Sequence, residues 1–297
     1  MLTLGGVWGA SFLFIKVVVE ETSPLDLVAG RLFFGALAIA LVMALQRVRV
    51  RWRPSLLAKV SFMAVLSNVV PFALIAWAEV HIASGTASVL NSTMPLFTAL
   101  FAAAFLAEEH FTVARLAGLV AGFLGVVVLA GGDVVNIADS SVLGKLAVVG
   151  AAACYGAGAV FARTLLRSDE PLPLSGLQLL AGTVLAIPLM LAVDGPPSYS
   201  LSVEAWLSLI TLGVMGSGLA YVAYLWLVDQ VGSVRTSLVT YIIPVVGLLL
   251  GWAVLDEQVG VDTGLGAALI ILGVASVMRG QLPAPHRAPA STAVAAE

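Results

Sequence analysis

Residues 89–97 read "VLNSTMPLF" and lie inside one of the most apolar stretches of the chain. A second stretch, "VTYIIPVVG" at 239–247, repeats the pattern: a few polar residues, then a proline, then an apolar run. In water such polar residues would need no explanation. In a bilayer they would, because a lipid-exposed helix has no solvent to satisfy a freed backbone carbonyl. What surrounds these stretches therefore decides how they are read.

Composition answers that question. Of 297 residues, 60% are hydrophobic and only 10% are charged, against about 25% charged in an ordinary soluble domain. So few charges cannot cover the surface of a soluble chain of this size, which points to an all-α polytopic membrane protein. The net charge of −3 is small and no basic cluster interleaves with aromatics, so nucleic acid is not an expected partner. Cys154 is the only cysteine, which rules out an internal disulfide and reads as a small buried side chain. Residues 1–19 are apolar with no charged region before them, so no cleavable leader is expected.

A hydrocarbon core of about 30 Å needs about 20 helical residues. Ten such segments can be marked: 2–19, 27–46, 57–79, 84–106, 113–131, 142–164, 174–193, 205–228, 234–254 and 261–279. Charged, Pro- or Gly-rich breaks such as "EETSPLD", "QRVRVRWRP" and "DGPPSYS" separate them. The runs are too long and too uniform for barrel strands. With the N-terminus inside, Arg47, Arg49, Arg51, Arg53, Lys59, Arg115, Arg163, Arg167, Arg235, Arg279 and Arg287 fall at cytoplasmic ends. Only Lys16, Arg31 and Lys145 fall opposite. Both termini are thus expected in the cytoplasm. The tail 281–297, rich in Pro and Ala, is expected to be disordered.

The chain also repeats itself. At an offset of 147, Trp8-Gly9 meets Tyr155-Gly156, Lys16 meets Arg163 and Gly35 meets Gly182. At 149, Trp77 meets Trp226, Ser88 meets Ser237, Pro95 meets Pro244 and Glu108 meets Glu257. Two five-span repeats are expected, 1–131 and 142–280. Five is odd, so the second repeat would enter the membrane inverted, the plan of secondary transporters with a site near the midplane.

The "WGASF" of 8–12, Pro24 followed by Arg31, "ASGTASVLNSTMPLFTALFAAAFLAEE" at 83–109 and "GSVRTSLVTYIIPVVGLLLGWAVLDE" at 232–257 carry a resemblance. Together with the Gly118–Gly125 run, they resemble the drug/metabolite transporter superfamily in its ten-helix form with two EamA domains. The resemblance covers residues 1–280. It implies a carrier for small organic metabolites, often an exporter, in a bacterial inner membrane, with amino acids a common cargo.

The opening stretches then acquire a reading. Pro95 and Pro244 fall at the middle of the fourth and ninth spans, and each leaves the carbonyl four residues earlier, Asn91 or Thr240, without its helical partner. Ser88, Asn91, Ser92 and Pro95 share one helix face; Ser237, Thr240, Tyr241 and Pro244 share the matching one. A wet central cavity is the functional reading and a kink held by interhelical hydrogen bonds the structural one. Asn68 and Phe72 of the third span align with Ser217 and Tyr221 of the eighth, and Tyr224 continues that face. Trp8 and Phe12 in the first span, with Tyr155 in the sixth, complete an aromatic, weakly polar chamber. Trp52, Trp206 and Trp252 read as interface anchors.

The central third of every span is expected to be free of charge, given the cost of about 2.5–3.5 kcal/mol for a mid-helix ion. Lys16, Arg31 and Glu79 lie toward the outer ends, where snorkelling to headgroups is the preferred reading and an outer gate, one of the two cations paired with Glu79, is the functional one. Glu108 and Glu257 read as organisers of turns. With no carboxylate or histidine at mid-depth, proton-coupled cation export is disfavoured, and a neutral or zwitterionic solute suits the chamber better.

No cofactor or metal is called for. "AGGD" at 130–133 and "GSG" at 216–218 fail the intramembrane protease patterns, and no Walker lysine motif is present, so an enzyme is not expected. The rivals are a multidrug or cationic-compound exporter, a channel and a membrane sensor. A monomer in the lipid bilayer is expected. A dimer through Gly118-x-x-x-Gly122 is the alternative, with packing inside its own repeat preferred for that motif.

Overall fold

Ser23 sets the first helix boundary that matters for the site. Its hydroxyl accepts the Asp26 N–H at 3.0 Å, and Pro24 follows at the first helical position, where its missing N–H costs nothing. The second span therefore starts three residues earlier than hydropathy suggests. Ser202 caps the eighth span in the same way through Ala205 N, Thr112 caps the fifth through Arg115 N, and Pro54 and Pro171 open the third and seventh.

The computed structural model describes residues 1–48, 50, 53–106, 112–130, 139–165, 170–197, 200–231, 236 and 238–279. Arg49, Arg51, Trp52, Glu108, Arg167, Arg235, Ser237 and the tail 281–297 lie outside these residues. The described chain is helical: α1 Leu2–Val19, α2 Pro24–Leu45, α3 Pro54–His81, α4 Ser84–Phe105, α5 Val113–Leu129, α6 Ser140–Leu165, α7 Pro171–Val193, α8 Val203–Val231, α9 Val239–Leu255 and α10 Val261–Arg279. Eight of these are long and apolar enough to cross a membrane, and α5 and α9 are shorter apolar helices. Exposed residues such as Leu37, Leu41, Val120, Leu124, Val184 and Trp226 are large and hydrophobic, as a lipid-facing surface requires. The protein is an integral, multi-pass membrane protein.

The main helix pairings recur when the two sets of five helices are exchanged. α1 lies along α9 as α6 lies along α4; α1 and α2 meet α8 as α6 and α7 meet α3; α2 pairs with α7, and α5 with α10. Direction can be read from the glycines. Gly5 faces Ile242 and Gly9 faces Val246, so α1 and α9 run parallel; Gly118 faces Gly273 and Gly125 faces Gly266, so α5 and α10 run antiparallel. The glycines of α5 are thus consumed within the chain. They pack on α10 of the other half, where a Cβ at Gly125 would lie 2.8 Å from the Gly266 carbonyl oxygen. Gly122 alone also packs within its own half, against Leu96.

Three helices depart from regularity. α3 and α8 each contain a π-helical turn, Val65–Val69 and Val214–Leu219, at matching places in the two halves. The Val70 N–H reaches the Val65 carbonyl and the Ala220 N–H reaches the Met215 carbonyl. α4 is broken at Ser92–Thr93, between Ser84–Asn91 and Met94–Phe105. α9 is continuous through Pro244, which lies in the second turn of the described helix Val239–Leu255. The ends differ because Ser92 Oγ donates to the Val89 carbonyl at 2.6 Å and Thr93 Oγ1 to the Leu90 carbonyl at 2.7 Å. Such bonds compete with the helical ladder. The aligned residues in α9 are Tyr241 and Ile242, which offer no such competition.

Candidate functional site

The two π-turns face the middle of the molecule and bring Asn68 and Ser217 to the midpoints of α3 and α8, both essentially fully buried. A π-turn is uncommon, and its extra residue re-aims side chains, which is why such turns gather at functional sites. Its cause differs in the two copies. Pro71 withdraws a helical donor just after the turn in α3; in α8 the turn contains Gly216, which faces Ser11 of α1, and Gly218, whose bare backbone lets α2 approach at Gly35 and Ala38. A Cβ at Gly35 would lie 3.0 Å from the Ser217 Cβ, and one at Gly213 would lie 2.9 Å from the Arg31 carbonyl oxygen.

That close approach seats a buried cation. Arg31, 6% exposed, donates from Nε to Ser217 Oγ at 3.0 Å, and its guanidinium carbon stands 3.7 Å from the centre of the Phe72 ring. The expectation of an uncharged central third is overturned here. α2 begins at Pro24, and the long side chain reaches the midpoint of α8, where a hydroxyl and an aromatic face hold it.

On the other side of the same cluster, Gln178 Nε2 donates to Asn68 Oδ1 at 2.6 Å, and Asn68 Nδ2 donates to the Tyr221 hydroxyl at 3.2 Å. The offset of 147 that aligns Pro24 with Pro171 places Arg31 on Gln178, and the offset of 149 places Asn68 on Ser217. The two bonds are therefore counterparts. Each half sends a donor from its second helix to the π-turn of the other half. Gln178 went unnoticed in the sequence, although that alignment marks it.

Trp8 Nε1 donates to the Gly216 carbonyl in the α8 π-turn at 3.2 Å, and its ring meets Tyr224 with centres 5.8 Å apart. Phe12 and Phe72 are buried, and Tyr155, Tyr221 and Tyr241 pack on the same core. Trp8, Tyr155, Tyr221, Tyr224 and Tyr241 remain only partly buried around this cluster. A groove of about 400 Å³ does lie between α1 and α8, lined by Val7, Ser11, Phe14, Thr211, Met215 and Gly216.

The remaining expected residues sit elsewhere. Ser88 is fully buried at the crossing of α4 and α9, donates to the Gly85 carbonyl at 2.7 Å and faces Gly247. Asn91 carries a buried Oδ1 with no hydrogen-bond partner among the described residues, beside the break at Ser92–Thr93. Thr240 and Tyr241 are half-buried in the first turn of α9.

The expected gate takes another form. Lys16 Nζ donates to the backbone carbonyl of Glu79 at 2.7 Å and not to its carboxylate. The Glu79 side chain is fully buried and neither oxygen has a hydrogen-bond partner among the described residues. Nearby, the Ser84 and Gly85 N–H groups donate to the Glu257 carboxylate at 2.6 and 2.9 Å. Glu257 thus organises a helix start, that of α4 in the other half, where the helix dipole and unpaired N–H groups favour a carboxylate. At the same end of the bundle, Glu21 accepts from the Ser202 hydroxyl and N–H at 2.6 and 2.7 Å, and Ser23 donates to Asp194 at 2.5 Å. The Ser202 hydroxyl and then its N–H hold the exposed Glu21 carboxyl below the usual range.

Against known families, two consecutive segments, residues 1–131 and 142–279, each match the EamA-like transporter family. The chain belongs to that family. Relatives align over nearly the whole length. One is "Uncharacterized transporter YoaV" of Bacillus subtilis, 28% identical over 90% of this chain and 91% of the relative. Another is a "Probable terminal-alkyne amino-acid exporter" of Streptantibioticus cattleyicolor, 29% identical over 92% and 90%. A crystal structure, 22% identical, shares the fold with a TM-score of 0.66 over 93% of this chain and 96% of the other. Membership in the family makes the chain a membrane transporter, and the two matched segments coincide with the two sets of five helices.

Proposed function

We propose that this transporter exports small zwitterionic metabolites, amino acids with apolar or aromatic side chains foremost, by alternating access between two inverted five-helix repeats. The observation that carries the reading is the buried polar–aromatic cluster at the paired π-turns, where each half supplies a donor to the other. Membrane proteins keep irregular backbone and polar side chains at mid-depth only where they line a path or are buried in protein, and the junction between repeats is where carriers bind solute. The family relative described as an amino-acid exporter supports the cargo class.

In this reading both termini face the cytoplasm of a bacterial inner membrane, as the Lys and Arg distribution favours. The end that joins Lys16 to Glu79, Glu21 to Ser202 and Glu257 to α4 is then the outer one. Closed at that end by these contacts, the molecule is poised to open on the other. Pro95, just after the break in α4, is the stronger hinge candidate; Pro244, inside continuous α9, is the weaker. The Gly118–Gly273 seam is spent inside the chain, so a monomer suffices.

Counterflow in proteoliposomes tests the proposal. Vesicles loaded with unlabelled aromatic and branched amino acids should take up the labelled species against its gradient, with saturation. Linear flux would make the protein a channel, and no flux for any amino acid would remove this cargo class.

A further inference from the structure

We infer that Arg31 receives the carboxylate of the transported solute; this rests on the carrier reading above. The comparison of the two halves carries it. Arg31 and Gln178 occupy equivalent positions, and both donate to the π-turn of the opposite half, Arg31 to Ser217 Oγ at 3.0 Å and Gln178 to Asn68 Oδ1 at 2.6 Å. The structural task is therefore done on one side by a neutral amide. A positive charge is not needed for it, yet the first half retains one at a depth where charge is costly.

The charge is also incompletely paired. Nε is spent on Ser217 and one face of the guanidinium lies over Phe72, but among the described residues the two terminal nitrogens carry no hydrogen bond. A buried cation normally finds a partner. The two oxygens of the buried Glu79 carboxylate do not bond to it either. The paired terminal nitrogens of arginine match the two oxygens of a carboxylate in one plane. A dianionic phosphate fits less well, since it would call for a second cation, and Lys16 is held by the Glu79 carbonyl.

The asymmetry fixes how a zwitterion would lie. Its carboxylate goes to the Arg31 half. Its ammonium goes toward Asn68 Oδ1 and the hydroxyls of Tyr155 and Tyr221, which offer acceptor lone pairs. Its side chain goes among Trp8, Phe72 and Tyr224.

The test is competition in the proteoliposome assay. An amino acid that shows saturable counterflow is displaced by itself, by its carboxamide and by its decarboxylated amine, which keep the side chain and differ at the carboxylate. On wild-type protein the acid should compete at least tenfold better than either analogue. In Arg31→Gln that preference should collapse to near parity, and Arg31→Lys should restore part of it. The wild-type series stands even if Arg31→Gln fails to insert. Equal competition by acid and amide on wild type would overturn the inference while leaving the carrier intact, as would an Arg31→Gln protein that keeps the wild-type preference. Absence of counterflow for every amino acid would remove the carrier reading and the inference together.

Discussion

Asn68 is the most connected polar side chain of the central cluster, and its removal has a magnitude that the structure sets. Its Oδ1 takes the Gln178 amide at 2.6 Å and its Nδ2 gives to the Tyr221 hydroxyl at 3.2 Å, so it ties α3 to α7 and α8. Interhelical hydrogen bonds in membranes contribute about 0.6 kcal/mol each and at most about 1.7. Asn68→Ala should therefore cost about 1–3 kcal/mol, the upper part arising from Gln178 and Tyr221 left without partners. Tyr221→Phe removes one bond and keeps the ring, and should cost about 0.5–1.5 kcal/mol. Because the two residues share that bond, the double variant should be less destabilised than the sum, with a coupling of about 0.5–1.5 kcal/mol. Reversible unfolding in mixed detergent–lipid micelles, followed by tryptophan fluorescence, measures all four corners of the cycle. Additivity within about 0.3 kcal/mol would refute the bond and, with it, the assignment of the α3 π-turn to the site.

Other consequences concern the frame around the cluster. Glu257→Gln should destabilise by about 1–2 kcal/mol, since two backbone donors at the start of α4 lose a charged acceptor; an unchanged unfolding midpoint would remove the capping role. Gly273→Leu should abolish folded, monodisperse protein in detergent, because a Cβ there would already lie 2.5 Å from the Gly122 nitrogen; a stable, monodisperse variant would mean that α5 and α10 do not pack this way. Glu21 sits below its ordinary titration range because Ser202 bonds its charged form. Its contribution to stability is therefore present at neutral pH and lost as the pH falls through its folded-state value. The stability advantage of wild type over Glu21→Gln should shrink on acidification; a constant difference across that range would show the contact to be idle.

Much of the architecture was legible because bilayer thickness imposes its own length on apolar runs, and because the repeat left Trp8 facing Tyr155 and Asn68 facing Ser217 in the alignment. The faces of α3 and α8 followed from that. What remained hidden was of three physical kinds. A π-turn inserts one residue without altering hydropathy, and only Pro71 and the Gly216-Ser217-Gly218 triplet hinted at it. Arg31 was placed with a gate because position along a span says nothing of where a long side chain points, and α2 starts earlier than its apolar run. Identical prolines gave different helices because Ser92 and Thr93 bond back to their own backbone and Tyr241 and Ile242 do not offer the same competition. The Glu257 contact joins residues 173 positions apart, which no local pattern reports.

Alternating access around the paired π-turns is tested most directly at Ser217, buried at their junction. In a Cys154→Ala background, Ser217→Cys should react with a membrane-impermeant thiol reagent applied from either side of the membrane. The reaction should slow when a transported amino acid is present. A thiol that reacts from neither side, with or without amino acid, would make the cluster a structural core and contradict the account.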